Sequence, residues 1–121
     1  MTSGNPGGST WLWPDSLDAV VAAPGSHRVL LENTHARVLE ITIQPGAREP
    51  EHTHAWPSVM VIDAPARIRY YEQGALTFES PPGSLDGPVP RVIWLGPEGP
   101  HAVENLDTHQ YHAIRVEIRS A

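Results

Sequence analysis

After Gly25, hydrophobic and polar residues alternate with a period of two over most of the chain. Side chains in an extended strand point to opposite faces in turn, so such runs predict strands with one buried face. The runs are His27–Glu32, Ala36–Gln44, a stretch that begins at His52–His54 and continues through Val59–Ile62, Ala66–Glu72, Ala75–Glu79, Arg91–Leu95, His101–Asn105 and Gln110–Arg119. In the second run Leu39, Ile41 and Ile43 share one face, and Glu40, Thr42 and Gln44 the other. By the same rule His112, Ile114, Val116 and Ile118 form the inward face of the last. Pro57 marks a break or bulge in the third run, because proline cannot donate to a ladder. Gln73-Gly74 reads as a hairpin turn, and the Pro/Gly-rich residues 80–90 as a loop. Eight or nine short strands predict an all-β fold, an antiparallel sandwich or barrel.

The segment before Gly25 behaves differently. Residues 1–10 are polar, rich in Gly and Ser and without a period, which predicts a flexible tail. Leu17, Val20 and Val21 fall at i, i+3 and i+4, so a short helix is expected there, capped by Asp15 or Ser16 and stopped by Pro24-Gly25. Trp11 and Trp13 are too apolar to stay in water and are expected to cover a sheet edge or a subunit contact. The expected organisation is a tail over 1–10 and one domain over 11–121, with an arm and helix over 11–25 and a barrel over 26–121.

Composition narrows the function. A length of 121 residues suits one domain. With a net charge of −6 and no Lys/Arg cluster, neither nucleic acid nor an anionic membrane surface is an expected partner. The chain has no cysteine, so any metal must be held by His, Asp or Glu. Residues 1–10 have no basic residue and no apolar run, and no stretch approaches the roughly 20 apolar residues of a membrane span. A cytoplasmic location is the resulting expectation.

Chemistry concentrates at His52-Thr53-His54. With Thr53 extended, both imidazoles lie on one face and can converge on one ion. A third histidine, His101, follows a second Pro/Gly turn, Gly96–Pro100. A hairpin about Asp107-Thr108 would set His101 opposite Ile114 and Val103 opposite His112, so His112 would face inward with His101. Imidazole suits iron, zinc, nickel, copper or manganese, and three ligands leave positions open for a substrate. Glu49 and Glu51 are expected in solvent, as are His27, His35 and His109 at turns or strand ends. Arg67 and Arg69 are expected on the solvent face, with a carboxylate-binding role if that face points inward. Tyr70, Tyr71, Phe78 and Trp94 are expected in a core or interface, and Met60 in the core near the histidines. Asn105 is expected to fix the following turn.

These residues carry a family resemblance. Gly46, five residues on, meets His52-Thr53-His54, as in the first motif of the cupins. Pro97-Glu98-Gly99-Pro100-His101, with Asn105 four residues later, follows the second motif with one residue fewer before the histidine. Over roughly residues 27–119 the chain resembles a small single-domain cupin of the RmlC-like, cupin-2-like type. The resemblance implies a jelly-roll barrel in which His52, His54 and His101 hold one divalent metal, with iron, zinc, nickel or manganese as the candidates. The motif's glutamate does not carry over; its place falls on Ser58 or Val59. Ser58, Met60 and His112 are the expected supporting or cavity residues. The implied function is dioxygenase- or isomerase-like chemistry on a small organic molecule. The alternative is a metal-free module that binds or senses a small molecule through the same histidines. The resemblance also implies a homodimer, with Trp11, Trp13 and strand 27–32 as interface candidates.

Overall fold

The structure is a computed structural model, and it describes residues 11–119. The expected tail over 1–10 lies outside the described residues. Among the described residues there are nine strands: β1 (His27–Glu32), β2 (Ala36–Ile43), β3 (His52–His54), β4 (Ser58–Ala64), β5 (Ile68–Glu72), β6 (Ala75–Glu79), β7 (Arg91–Leu95), β8 (Glu98–Asn105) and β9 (Tyr111–Ile118). They form two antiparallel sheets, one in the order β1-β2-β9-β4-β7 and the other β3-β8-β5-β6. Chain neighbours such as β3 and β4, or β8 and β9, therefore lie in different sheets, which is how a jelly roll encloses its interior.

The alternation in β2 sets the core. Leu39, Ile41 and Ile43 are buried, and the last two pack with Met60, Ala66, Tyr111 and Ala113. Gln73 and Gly74 turn β5 into β6 with φ of 50° and 84°, the paired positive values of a tight hairpin. Asn105 fixes the turn after β8: its Oδ1 accepts from the Asp107 N–H at 2.8 Å, and its Nδ2 donates to the carbonyls of Ile43 and His109.

Several expectations are corrected. The His52 run does not continue into Ile62. It breaks at Ala55–Pro57 and crosses between the sheets. The β8–β9 hairpin does not form, since β9 pairs with β2 and β4 instead. The inward face of β9 is Tyr111, Ala113, Arg115 and Glu117, while His112, Ile114 and Val116 are half-buried on the outer face. His112 is thus not a cavity residue; it bonds Asp63 at 2.5 Å and Glu40 at 2.8 Å. The helix, α1 (Ala19–Ala22), buries Ala19, with Ala23 at its C-terminal cap, rather than the Leu17/Val20/Val21 face. Its cap is Asp18, because only that carboxylate reaches the Val20 N–H.

The arm is stitched to β3. Asp18 forms a parallel bridge with Thr53, and its carboxylate takes two hydrogen bonds from Arg37, at 2.8 and 2.9 Å. Trp13 lies on Gly99 of β8, where an added Cβ would come within 3.1 Å of the indole nitrogen. Phe78 and Trp94, expected in a core or interface, are 50% and 63% exposed. Among the described residues no helix is long and apolar enough to cross a membrane.

Candidate functional site

Between the sheets lies a cavity of about 280 Å³. Its walls are apolar, with Ile41, Ile43, Met60, Ile62 and Ile68 among them, and its polar end is a cluster of imidazoles. His52 and His54 share a face of β3, and His52 pairs with His101 of β8. The His52 and His101 rings are 4.4 Å apart between centroids, and His54 lies 5.2 and 5.5 Å from them. The three expected histidines therefore meet.

A fourth joins them. His27, at the start of β1, is 5% exposed, and its ring centroid lies 4.6 Å from that of His52 and 5.2 Å from that of His54. The expectation that it is solvated is corrected: it pairs with Ile41, a core position, so the register of β1 on β2 turns it inward. Alternation along β1 did not reveal this, because only His27 of that strand is buried.

The ring hydrogen bonds decide which nitrogen faces the cavity. The Nδ1 atoms of His52, His101 and His27 lie 2.8, 2.8 and 3.1 Å from the carbonyls of Pro50, Gly99 and Ala23. That of His54 lies 2.8 Å from Glu117 Oε2. Carbonyls and carboxylates only accept, so each Nδ1 carries the proton and each Nε2 of a neutral ring keeps its lone pair. Burial holds His54 well below the ordinary imidazole range, with Arg115 adding to the effect. Burial also lowers His52, and takes His27 down to about 3, helped by His52. Neutral imidazoles anchored at one nitrogen are the form in which histidine ligates metals.

Two groupings bring one ligand atom per residue within 4.8 Å of each other: His27, His52 and His54, and His54, Glu98 and His101. Glu98 precedes His101 by three residues, so its carboxylate comes from the second motif rather than the first. Of the two positions on which the motif glutamate's place falls, Ser58 is fully buried and accepts from Arg115 Nε at 3.0 Å. Arg115 also pairs with Glu98 at 2.7 Å, and Tyr70 donates to Glu98 at 2.6 Å. Burial alone would raise Glu98, but Arg115 and His101 outweigh it and hold the carboxyl low.

Glu49 is the other carboxylate at the site and is 7% exposed, not solvated as expected. It accepts from Ser26 Oγ at 2.8 Å and from the Val103 N–H at 3.1 Å, and lies 3.9 Å from His52 Nε2. Burial pushes its pKa up. Glu51, His35 and His109 are exposed. Arg67 and Arg69 face solvent and pair with Asp107 and Glu79.

Behind His54 runs a buried chain of charges. Glu117, fully buried, takes a 2.5 Å hydrogen bond from Arg37 Nε, and Arg37 is held in turn by Asp18. Burial raises the Glu117 carboxyl against the pull of Arg37. Arg115, Glu117 and Glu98 were not identified from sequence as parts of this centre. The first two sit on the face of β9 that its apolar residues argued against. Glu98 lay within a motif whose signal is its histidine.

No protein-family profile matches the sequence, and no curated protein matches it. Solved structures do match in fold. A cupin domain from Bordetella pertussis superposes with a TM-score of 0.64 at 16% identity, covering 78% of this chain and 92% of that one. An RmlC-like cupin family protein with a double-stranded β-helix fold, from Methanocaldococcus jannaschii, gives 0.55 at 12% identity, covering 77% and 78%. An uncharacterised conserved protein with a double-stranded β-helix domain, from Klebsiella pneumoniae, gives 0.53 at 15%, covering 93% and 91%. The fold is that of the cupins.

Proposed function

We propose, with the cupin fold as premise, that this chain holds a divalent transition metal on His52, His54 and His101, joined by His27, and acts on a small organic molecule in the adjoining cavity. The observation that carries the reading is the common state of the four rings. Each has Nδ1 tied to an acceptor and Nε2 free, which a lining of unrelated polar residues would not require. Iron, zinc, nickel or manganese would suit such donors and would supply Lewis-acid or, for iron, dioxygen chemistry, the basis of an isomerase- or dioxygenase-like activity. The chain's own groups do the rest. The apolar walls exclude water from the bound molecule. Tyr70 and Arg115 hold Glu98 in place. Glu49, buried and with its pKa raised, is placed to exchange a proton near His52.

Elemental analysis of untagged protein should find close to one metal ion per chain, removed by a chelator and absent from His54→Ala. Full metal content in His54→Ala would overturn the assignment.

One observation favours a second reading. Where the first motif would carry a glutamate, Ser58 instead accepts from Arg115, whose cation bears on His54. A metal-free module binding a small polar ligand through the same rings fits that feature. It is the conclusion if reconstitution with each metal at neutral pH gives no stoichiometric binding.

We also propose a homodimer. On the outer face of the five-stranded sheet, Leu31, Val38, Val116, Val59 and Trp94 form one cross-strand row, apolar from edge to edge. Leu31 and Trp94 are 55% and 63% exposed. A two-fold contact would lay this row on its own copy. Among the residues expected at the interface, strand β1 contributes through Leu31, whereas Trp13 packs on its own chain. A monomeric mass in light scattering at micromolar concentration would overturn the dimer.

A further inference from the structure

The inner rung of the five-stranded sheet ties the imidazole cluster to a second charged group. His27 pairs with Ile41, Ile41 with Ala113, Ala113 with Ile62, and Ile62 with Arg91. His27 and Arg91 are therefore the two ends of one row of residues crossing the sheet. Four inter-strand steps of about 4.8 Å put their backbones roughly 19 Å apart, before the sheet's curvature and the side chains shorten the gap. Isoleucines flank the middle of the row, and Ala113 adds only a methyl there. Both end residues line the same cavity.

Arg91 differs from Arg115, the other arginine that lines the cavity. Its guanidinium donates to the carbonyls of Ser84 and Asp86, at 2.6 and 3.1 Å, and is half-buried. Among the described residues no carboxylate pairs with it. Arg115, the other arginine on the cavity, is already neutralised by Glu98. Arg67 and Arg69 are paired with acids and do not line the cavity. Alternation on β7 turns Arg91, Ile93 and Leu95 to the cavity and leaves Val92 and Trp94 outside, at 64% and 63% exposure. Ile93 is 41% exposed, so this wall opens to solvent. The loop carbonyls fix the guanidinium by neutral hydrogen bonds and leave its charge for an anion.

We infer that the cavity takes a small monocarboxylate with an apolar body, its carboxylate held by Arg91 at the mouth and its far end presented to the four histidines. The inference deepens the proposed function and rests on it only in making the histidines the reacting end. An apolar channel with one uncompensated cation gives both affinity and orientation: the hydrocarbon fills the isoleucine-lined middle, and the charge fixes which end leads. A neutral analogue of the same shape would lose the ion pair and leave the guanidinium partly desolvated.

Isothermal titration with hexanoate and 4-phenylbutyrate, each against its primary amide, tests this, with metal content measured on every sample. The acids should bind the unaltered protein at least tenfold more tightly than the amides. Arg91→Gln should erase that preference by weakening the acids about tenfold while leaving the amides and the metal content unchanged. Arg91→Lys, which keeps the charge, should retain part of the preference; a role confined to holding the loop would make Lys and Gln alike. Equal binding of acid and amide, a preference that survives Arg91→Gln, or no binding of either compound would each overturn the inference. A metal-free protein that still prefers acids through Arg91 would leave this inference standing and remove the metal reading. A metalloprotein indifferent to the carboxylate would do the reverse.

Discussion

The two faces of β9 reverse the usual order of a sheet. Facing the interior are Tyr111, Ala113, Arg115 and Glu117; facing out are His112, Ile114, Val116 and Ile118. The charged residues are inside because each has an opposite charge waiting. Glu117 meets Arg37, and Arg115 meets Glu98. A buried charge is tolerated when paired and hydrogen-bonded, and is very costly otherwise. The apolar outer residues have no such internal explanation. Val116 is the middle of the apolar row that spans all five strands, the row on which the homodimer is proposed. On the readings proposed above, the inner face serves a site and the outer face a second copy of the chain, and the same strand carries both.

The most damaging way to break the inner face is to remove one member of a pair. Glu117→Ala leaves the buried Arg37 with Asp18 as its one remaining carboxylate partner among the described residues, and His54 without its acceptor. It should cost about 3–5 kcal/mol, seen as a large fall in the denaturant midpoint. The double variant Arg37→Leu/Glu117→Leu should recover much of that loss; a double variant as unstable as the single one would mean the charges are not coupled.

Next in size is the acid response of protein treated with a chelator. His27, His52 and His54 have lowered pKa values when folded, so below about pH 6.5 the unfolded chain binds more protons than the folded one. Stability therefore falls with falling pH, by up to roughly 1.4 kcal/mol per pH unit for each histidine. For His27 the decline runs down to about pH 3. Urea titrations between pH 7 and 4 measure the slope, and His27→Gln should make it shallower. A slope unaltered in that variant would remove His27 from the buried cluster.

The outer face should respond in a different quantity. Val116→Asp places a charge in the middle of the apolar row. With the proposed dimer, light scattering should show a shift to monomer while the cavity and metal content stay intact. An unchanged dimer mass would move the interface elsewhere.

The smallest effect belongs to His112. Asp63 and Glu40 raise its pKa, with Glu40 the larger influence. The stabilisation is thus fully present below the ordinary histidine pKa of about 6.5. It is lost as pH rises through the raised folded value, the opposite sign to the inner histidines. His112→Gln should remove that high-pH decline and cost less than about 1 kcal/mol below it, as partly exposed ion pairs do.

This contrast also explains what could be seen in the sequence. Strand positions were legible because turn residues and period-two runs are local signals: β1, β6 and β7 have the bounds their patterns predict. His52, His54 and His101 were legible because two spaced motifs point to one centre. The face of β9 was not, since Ile114 and Val116 argued for one side, and only the distant partners Arg37 and Glu98 make the other side affordable to charge. His27 was hidden for a related reason. Its inward turn depends on pairing with Ile41, not on any property of the residues beside it.

The link from Asp18 through Arg37 and Glu117 to His54 has a practical consequence for anyone who would trim this protein. The Pro24-Gly25 turn looks like a natural place to cut, with a complete barrel beginning just after it. A chain shortened there would keep the nine described strands yet lose the carboxylate that steadies Arg37 and the segment that borders Thr53. A minimal barrel would inherit the fold while its histidine cluster worked loose, so the arm belongs to the site as much as to the scaffold.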